Sequence, residues 1–256
     1  MIDIHNHILY GIDDGSRSLD ESINIIKKAI NNGYTDLILT PHYRLKQNFT
    51  CDNIEKNKIY NELKKEINKQ NLSINIYLGN EITLDEDLFY YLNTDQILSL
   101  NKSKYILLEL PFNGVFKQLD EAIEGLKSKG YIPIIAHPER YESYKINDFE
   151  NVISKGVLFQ GNISTLFGKY GSKSQKILEK MIKRNMIHFM GSDTHYESHT
   201  SYDRVNDAFK IVEELTKNKS IAEDLFINNP KKIINNEDIE IYQVLKNKFK
   251  LFGGSR

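Results

Sequence analysis

Short apolar runs of strand length recur along the chain, at Ile2 to His5, Leu37 to Thr40, Ile74 to Leu78, Tyr105 to Leu110, Ile132 to Ala136, Val157 to Gln160 and Ile187 to Met190. They are continuous rather than alternating, as strands covered on both faces require. Between most of them apolar residues return at helical spacing. Ser18-Leu19-Asp20-Glu21 reads as a capping box, Ile23, Ile26 and Ile30 follow, and Gly33 supplies a left-handed residue just past the end. Ile59, Leu63 and Ile67 mark a second helix, Ala122, Ile123 and Leu126 a third that stops at Gly130, and Ile177, Leu178, Met181 and Ile182 a fourth. Ser220-Ile221-Ala222-Glu223 is expected to cap the last short one. Strand and helix alternating this regularly predict parallel pairing with right-handed crossovers. The expected fold is α/β, a distorted seven-stranded (β/α) barrel in one domain over residues 1–252, with Gly253 to Arg256 as a flexible tail.

Composition narrows the chemistry. At 256 residues and 40% hydrophobic, the chain can bury a sizeable core. The balance of 34 basic against 35 acidic residues provides no cationic field for a polyanion, so nucleic acid is not an expected partner. No stretch approaches the roughly 20 apolar residues that span a bilayer, and the N-terminus lacks a basic region followed by an apolar one. Membrane insertion is not expected; a cytoplasmic location is. Cys51, the sole cysteine, excludes an internal disulfide and a thiolate-rich zinc site, and its polar surroundings give it no activating partner. The basic stretch Lys246 to Lys250 reads as a solvated end.

In (β/α) barrels the working residues stand at the C-terminal ends of the strands. His5 and His7 end the first run, His42 follows the second, Glu81 the third, Glu109 ends the fourth, His137 follows the fifth, and Asp193 and His195 follow the last. Residues two apart on an extended segment share a face, so His5 and His7 can present two imidazoles to one ion. The run at Val157 to Gln160 ends in Gln160-Gly161-Asn162, neutral groups suited to lining a substrate site. Any one of these residues could be an ordinary loop residue. Converging on one rim, they would repel and desolvate one another unless cations neutralise them, and imidazole with carboxylate but no sulfur suits manganese, iron or zinc better than calcium. Asp13-Asp14-Gly15 forms a turn on the same rim. His188, at the start of its strand, reads as structural, whereas His199 sits near the mouth as a candidate substrate contact.

Asp3-Ile4-His5-Asn6-His7, Asp13-Asp14-Gly15, Thr40-Pro41-His42, Gly79-Asn80-Glu81, Ala136-His137-Pro138-Glu139-Arg140-Tyr141 and Gly191-Ser192-Asp193-Thr194-His195 together resemble the polymerase and histidinol phosphatase (PHP) superfamily. Within it they look most like the manganese-dependent tyrosine phosphatases of bacterial capsule and exopolysaccharide operons, from Met1 to about Ile234. The resemblance implies three divalent ions: His5, His7, Glu81 and Asp193 on the first; Glu81 as a bridge, with Glu109 and His137, on the second; Asp14, His42 and His195 on the third. It also implies Arg140 as the phosphate-binding arginine. One position departs from the pattern. The capsule enzymes carry a second arginine soon after the last histidine, where this chain reads Thr200-Ser201-Tyr202; Arg204 falls late, and Arg44 is a possible substitute.

The implied reaction is hydrolysis of a phosphomonoester by metal-activated water without a covalent intermediate, with Arg140 and the metals neutralising the equatorial oxygens. The expected substrate is phosphotyrosine on the tail of a cognate bacterial tyrosine kinase. Tyr43, Phe112, Phe116, Tyr141 and Tyr196 fall on loops near the mouth as candidate aromatic walls, with Tyr141 as a substrate contact. Competing readings are a histidinol-phosphate or other small phosphomonoester phosphatase, a nuclease module, and a catalytically silent kinase-docking scaffold.

Overall fold

The computed structural model describes residues 1–245, and of these the side chain of His199 falls outside the description. The expected tail at Gly253 to Arg256 and the basic stretch from Lys246 lie outside the described residues.

Every ladder between named strands is parallel. β1 (Ile2–Asp3), β2 (Asp36–Leu39) and β4 (Asn75–Leu78) form one sheet in that order. β3 (His42–Tyr43), β5 (Glu81–Thr83), β6 (Tyr105–Glu109), β7 (Ile132–Ala136), β8 (Leu158–Asn162) and β9 (Phe189–Gly191) form the other. The seven expected strands are thus nine among the described residues, because two of them are cut at the rim. Pro41, with no N–H, cannot carry the β2 ladder onward; its carbonyl instead accepts from Glu81 N at 3.2 Å and from Asn80 Nδ2 at 2.8 Å. The chain then resumes pairing with His42 opposite Glu81. Beyond the two sheets, the segments following β1 and β9 meet at an isolated parallel bridge between Asn6 and Thr194.

Alternation along the strands sorts the core into two parts. Tyr105, Leu107, Ile134, Ala136, Leu158 and Phe189 join Ile2, Ile4 and Ile38 in one cluster, while Ile106, Leu108, Ile135 and Phe159 turn the other way and pack with helical residues. A fully buried Ile or Leu contributes about 2 kcal/mol, so both faces resist substitution and the rim rests on a rigid base.

The helices are α1 (Leu19–Asn31), α2 (Asn53–Lys69), α3 (Leu88–Asn93), α4 (Leu119–Ser128), α5 (Ile146–Ser154), α6 (Gly171–Lys183), α7 (Val205–Thr216), α8 (Lys219–Glu223) and α9 (Asn229–Asn235). The Ser18 side chain accepts from Glu21 N at 3.2 Å, Glu21 reaches back to Arg17 N at 2.9 Å, and Gly33 turns the chain at φ 87°. The cap of α8 differs from expectation: Asn218, not Ser220, precedes the helix, and its side chain accepts from Ser220 N at 3.0 Å. An asparagine amide caps as well as a serine hydroxyl, and pattern alone did not separate the two. No helix among the described residues is long and apolar enough to cross a membrane.

Candidate metal centre and active site

The strand ends bring the candidate ligands to one rim. His5 and His7 follow β1, His42 and Glu81 begin β3 and β5, Glu109 ends β6, His137 follows β7, and Asp193 and His195 follow β9. His5 Nε2 and His7 Nε2 lie 3.3 Å apart. Both face Glu81 Oε2, at 3.3 and 3.4 Å, and Asp193 Oδ1, at 3.5 and 3.4 Å. His42 Nδ1 approaches the same Glu81 oxygen to 2.8 Å, and His137 Nε2 reaches the other, Oε1, at 3.0 Å. On the far side of Glu81, His137 Nε2 is 3.7 Å from Glu109 Oε1; on the outer side, Asp14 Oδ1 lies 3.6 Å from His42 Nε2 and 3.7 Å from His195 Nε2.

The remaining faces of these groups are taken up from behind. His5 Nδ1 pairs with Gln160 Oε1 at 2.6 Å and His7 Nδ1 with Asp13 Oδ2 at 2.7 Å, leaving both Nε2 atoms pointed into the cluster. Asp13 also accepts from the His42 and Gly15 amides, at 2.8 and 2.9 Å. Gly15 is required there, since a Cβ would stand 2.1 Å from the His7 carbonyl oxygen. Asp193 Oδ2 accepts from Asn162 Nδ2 at 2.9 Å and Arg140 Nη1 at 3.1 Å, freeing Oδ1 for the histidines. His137 and Asp193 both hold positive φ, 33° and 50°. Left-handed backbone in a non-glycine residue is costly and persists where the surroundings impose it.

Charge is arranged to match. Burial pushes the Glu81 and Asp193 carboxyls up, but the neighbouring histidines outweigh it and hold both well below the usual carboxylate range. Burial likewise pushes His5 down, but Glu81 and Asp193 raise it to about 9. His137 and His195 are held at about 4, chiefly by burial, in the neutral form that offers a lone pair. Glu109 is pushed up to about 8 by burial and by Glu81. Buried acids gathered this closely call for compensating cations. The donor set can supply a seat for them: His7, Asp14, His42 and His195 form one group able to hold a divalent ion, His5, His7 and Glu81 a second, and His42, Glu81 and Glu109 a third. Glu81 Oε2 and His42 Nδ1, though 2.8 Å apart, are both buried without a hydrogen bond. Glu81 is common to two of the three groups and His42 to two, so the donor set fits cations held on either side of Glu81.

The residues 1–235 match the model of the family described as "Capsular polysaccharide synthesis, CpsB/CapC". The chain belongs to the CpsB/CapC family. It is 35% identical over 244 residues to the putative tyrosine-protein phosphatase CapC of Staphylococcus aureus, covering 93% of each chain. To the tyrosine-protein phosphatase YwqE of Bacillus subtilis it is 33% identical over 203 residues, 76% of this chain and 77% of that one. A solved structure, from work on YwqE of Bacillus subtilis and CpsB of Streptococcus pneumoniae as metal-dependent tyrosine phosphatases, superposes with a TM-score of 0.86 at 29% identity, covering 96% of this chain and all of that one. The lactonase Lmo2620 of Listeria monocytogenes, at 11% identity and a TM-score of 0.60, shares the fold alone.

Of the expected substrate contacts, Arg140 and Arg44 line the cavity at the CpsB/CapC rim. Arg140 packs its guanidinium carbon 4.1 Å from the ring centre of Tyr170 and 4.9 Å from that of Phe112. Arg44 pairs with Glu109 and with Gln47 and lines the same cavity, of about 160 Å³, as Asp14, Arg140 and Tyr170. Arg204 lies elsewhere, 3.8 Å over the Phe167 ring at the start of α7. Tyr141 lies beneath the rim rather than at its mouth: it is buried, its hydroxyl accepts from Leu110 N at 2.9 Å, and its ring backs His137 and Phe112. Tyr43 is buried too. The His199 side chain lies outside the described residues. His188, expected to be structural, is buried and accepts from Phe159 N at 3.1 Å. Gln160 and Asn162, expected to line a substrate site, instead hold His5 and Asp193 from behind. Sequence reasoning passed over Asp13, Tyr170 and Asp3, whose carboxylate takes hydrogen bonds from Ser192, Asn6 and Tyr202 and ties β1 to the segment after β9. Asp13 and Asp3 stood in motifs already singled out; nothing near Tyr170 signalled its place.

Proposed function

We propose that this chain is a metal-dependent phosphatase acting on phosphotyrosine in capsule or exopolysaccharide synthesis, with a cognate tyrosine kinase as its substrate and the cytoplasm as its site of action. Three divalent ions, manganese by preference, are held as follows: His5, His7, Glu81 and Asp193 on one, Glu81, Glu109 and His137 on the next, Asp14, His42 and His195 on the last. The observation that carries this reading is the Glu81 carboxylate, one oxygen of which faces three imidazole nitrogens within 3.4 Å with no hydrogen bond of its own. The names of the relatives support the reaction. We further read the two sheets as a single distorted seven-stranded barrel, with β2 and β3, and β4 and β5, each one bent strand, and closure through Asn6 and Thr194.

When bound, such ions polarise phosphoryl oxygens and lower the pKa of water from about 16 toward 7. The residues do the rest. Arg140, held flat between Asp193 and two aromatic rings, donates to the equatorial oxygens of the phosphoryl group, and Arg44, across the same cavity, takes the place of the missing second arginine. Burial pushes the Tyr170 hydroxyl up to about 12, so it stays a neutral donor beside Arg140. The purified protein supplied with manganese should release phosphate from a phosphotyrosyl peptide far faster than from histidinol phosphate, and a chelator should stop it. Equal rates on the two substrates would favour the small-substrate enzyme; no release from either would refute the phosphatase.

A further inference from the structure

Three cavities lie in a row on the rim. The inner one, between Asp14, Arg44 and Arg140, shares Arg44, Glu109 and Phe112 with a second of about 380 Å³. The second shares Lys46, Leu84, Asp85, Pro111 and Asn113 with a third of about 510 Å³. The second and third are built from the segments that follow β3, β5 and β6, and the shared residues join them to the inner one in a groove leading outward from the candidate metal centre. Large apolar side chains stand exposed along it: Leu45 is 49% exposed, Phe112 43% and Val115 55%. Eight such side chains are exposed among the described residues, and three of them line this groove, where scattered apolar residues would need no explanation but a contiguous set does.

We propose that this groove seats an extended peptide segment carrying the phosphotyrosine, its phenol ring in the middle cavity against Phe112 and Leu45 and its neighbouring residues in the outer cavity over Leu84 and Val115. The inference rests on the phosphatase reading and adds where the protein substrate lies. The inner cavity is lined almost wholly by ionisable side chains, which suit a phosphoryl group and would be desolvated at a cost by an aryl ring. Phe112 is the wall common to the inner and middle cavities. Its ring stacks on His137 at 5.9 Å and 16°, and the Arg140 guanidinium lies against it, so it is fixed in place while remaining part exposed. An ester held by Arg140 therefore runs out past Phe112 into the middle cavity, where an offset or edge contact between rings is available. A small phosphomonoester leaves the outer cavity unused. An extended segment fills it, because alternate side chains fall on the same side and Lys46 and Lys117 stand there with Asp85, Glu86 and Asp87 to meet backbone and charged neighbours.

The test compares kcat/KM on a phosphotyrosyl peptide with kcat/KM on free phosphotyrosine, in the manganese-loaded full chain and in Leu45→Asp and Val115→Asp. Both side chains are largely exposed, so both variants should fold, and thermal melting checks it. The ratio of peptide to free phosphotyrosine should fall by about tenfold in Val115→Asp, the scale of one desolvated contact, whereas Leu45→Asp, in the cavity that both substrates share, should lower kcat/KM on both and leave the ratio near its unaltered value. Ile54→Asp, an equally drastic change at an exposed position lining none of these cavities, should change neither. A ratio unchanged in Val115→Asp, with both substrates still hydrolysed, overturns the groove and leaves the phosphatase reading standing. Failure of the unaltered protein to hydrolyse either substrate overturns the reading beneath it and the groove together.

Discussion

His42 Nδ1 and Glu81 Oε2 lie 2.8 Å apart, both buried, and share no hydrogen bond. The pairing of β3 with β5 holds them there, because His42 stands opposite Glu81 in the ladder that resumes after Pro41. The same Glu81 oxygen also faces His5 Nε2 at 3.3 Å and His7 Nε2 at 3.4 Å, a convergence of donor atoms on one carboxylate that suits a cation. Glu81→Gln keeps the shape but replaces an anionic oxygen with an amide. It should abolish turnover of an aryl phosphate and lower the bound metal per chain measured by elemental analysis; activity within about threefold of the unaltered protein, against the losses of 10²-fold or more seen when a single charge stabiliser is removed, would reject the assignment.

Asp13 touches His7 through Nδ1 and should act on metal affinity without being a ligand. Burial pushes its carboxyl up, but His7 outweighs this and holds it at about 2, so it is ionised at any working pH. Loss of such a partner weakens metal binding by about 10- to 100-fold. Asp13→Asn should shift the manganese concentration giving half-maximal activity upward by that factor while saturating metal restores most of the turnover. An unshifted titration would contradict the role.

Metal should also stabilise the fold. An ion bound only by the native chain adds about 2.7 kcal/mol at a hundredfold excess over its Kd, so manganese should raise the melting temperature by several degrees and a chelator should reverse it. Calcium, which prefers oxygen ligands alone, should do markedly less. Equal stabilisation by both ions would point to general charge screening rather than a built site.

Lys56 is wholly buried in α2, donating to Asn80 Oδ1 at 2.8 Å and Asn53 Oδ1 at 3.0 Å. Burial lowers its pKa from 10.5 to about 8. A depressed folded pKa favours the neutral amine in the fold, so the associated stability is present above 10.5 and lost as pH falls through about 8. The melting free energy of the unaltered protein relative to Lys56→Met should therefore rise by about 3 kcal/mol between those limits. A difference that stays flat across that window would show that Lys56 keeps an ordinary pKa.

Much of this was legible in the residues. His5, His7, His42, Glu81, Glu109, His137, Asp193 and His195 could be placed on one rim because apolar runs located the strand ends and parallel topology put those ends together. The cut strands were not legible: Pro41 signals a break, but only the hydrogen bonds from Glu81 and Asn80 to its carbonyl show that pairing resumes at once. The supporting residues were harder still. Gln160 and Asn162 were visible as polar groups in an apolar run, yet whether they face substrate or brace His5 and Asp193 depends on strand register, and β8 runs two residues further than its apolar pattern. Tyr141 looked like a mouth residue because it falls on a loop near the mouth, yet its ring is buried against His137 and Phe112 and its hydroxyl is taken by Leu110 N, contacts that no local pattern announces. Tyr170 comes from a turn with no periodicity to place it.

The most direct measurement is anomalous diffraction at the manganese edge from crystals of the full chain grown with manganese. The account predicts three strong peaks on the rim, two of them sharing Glu81 and the third among Asp14, His42 and His195. A map with no peak there, or with metal only at other places on the surface, would contradict it.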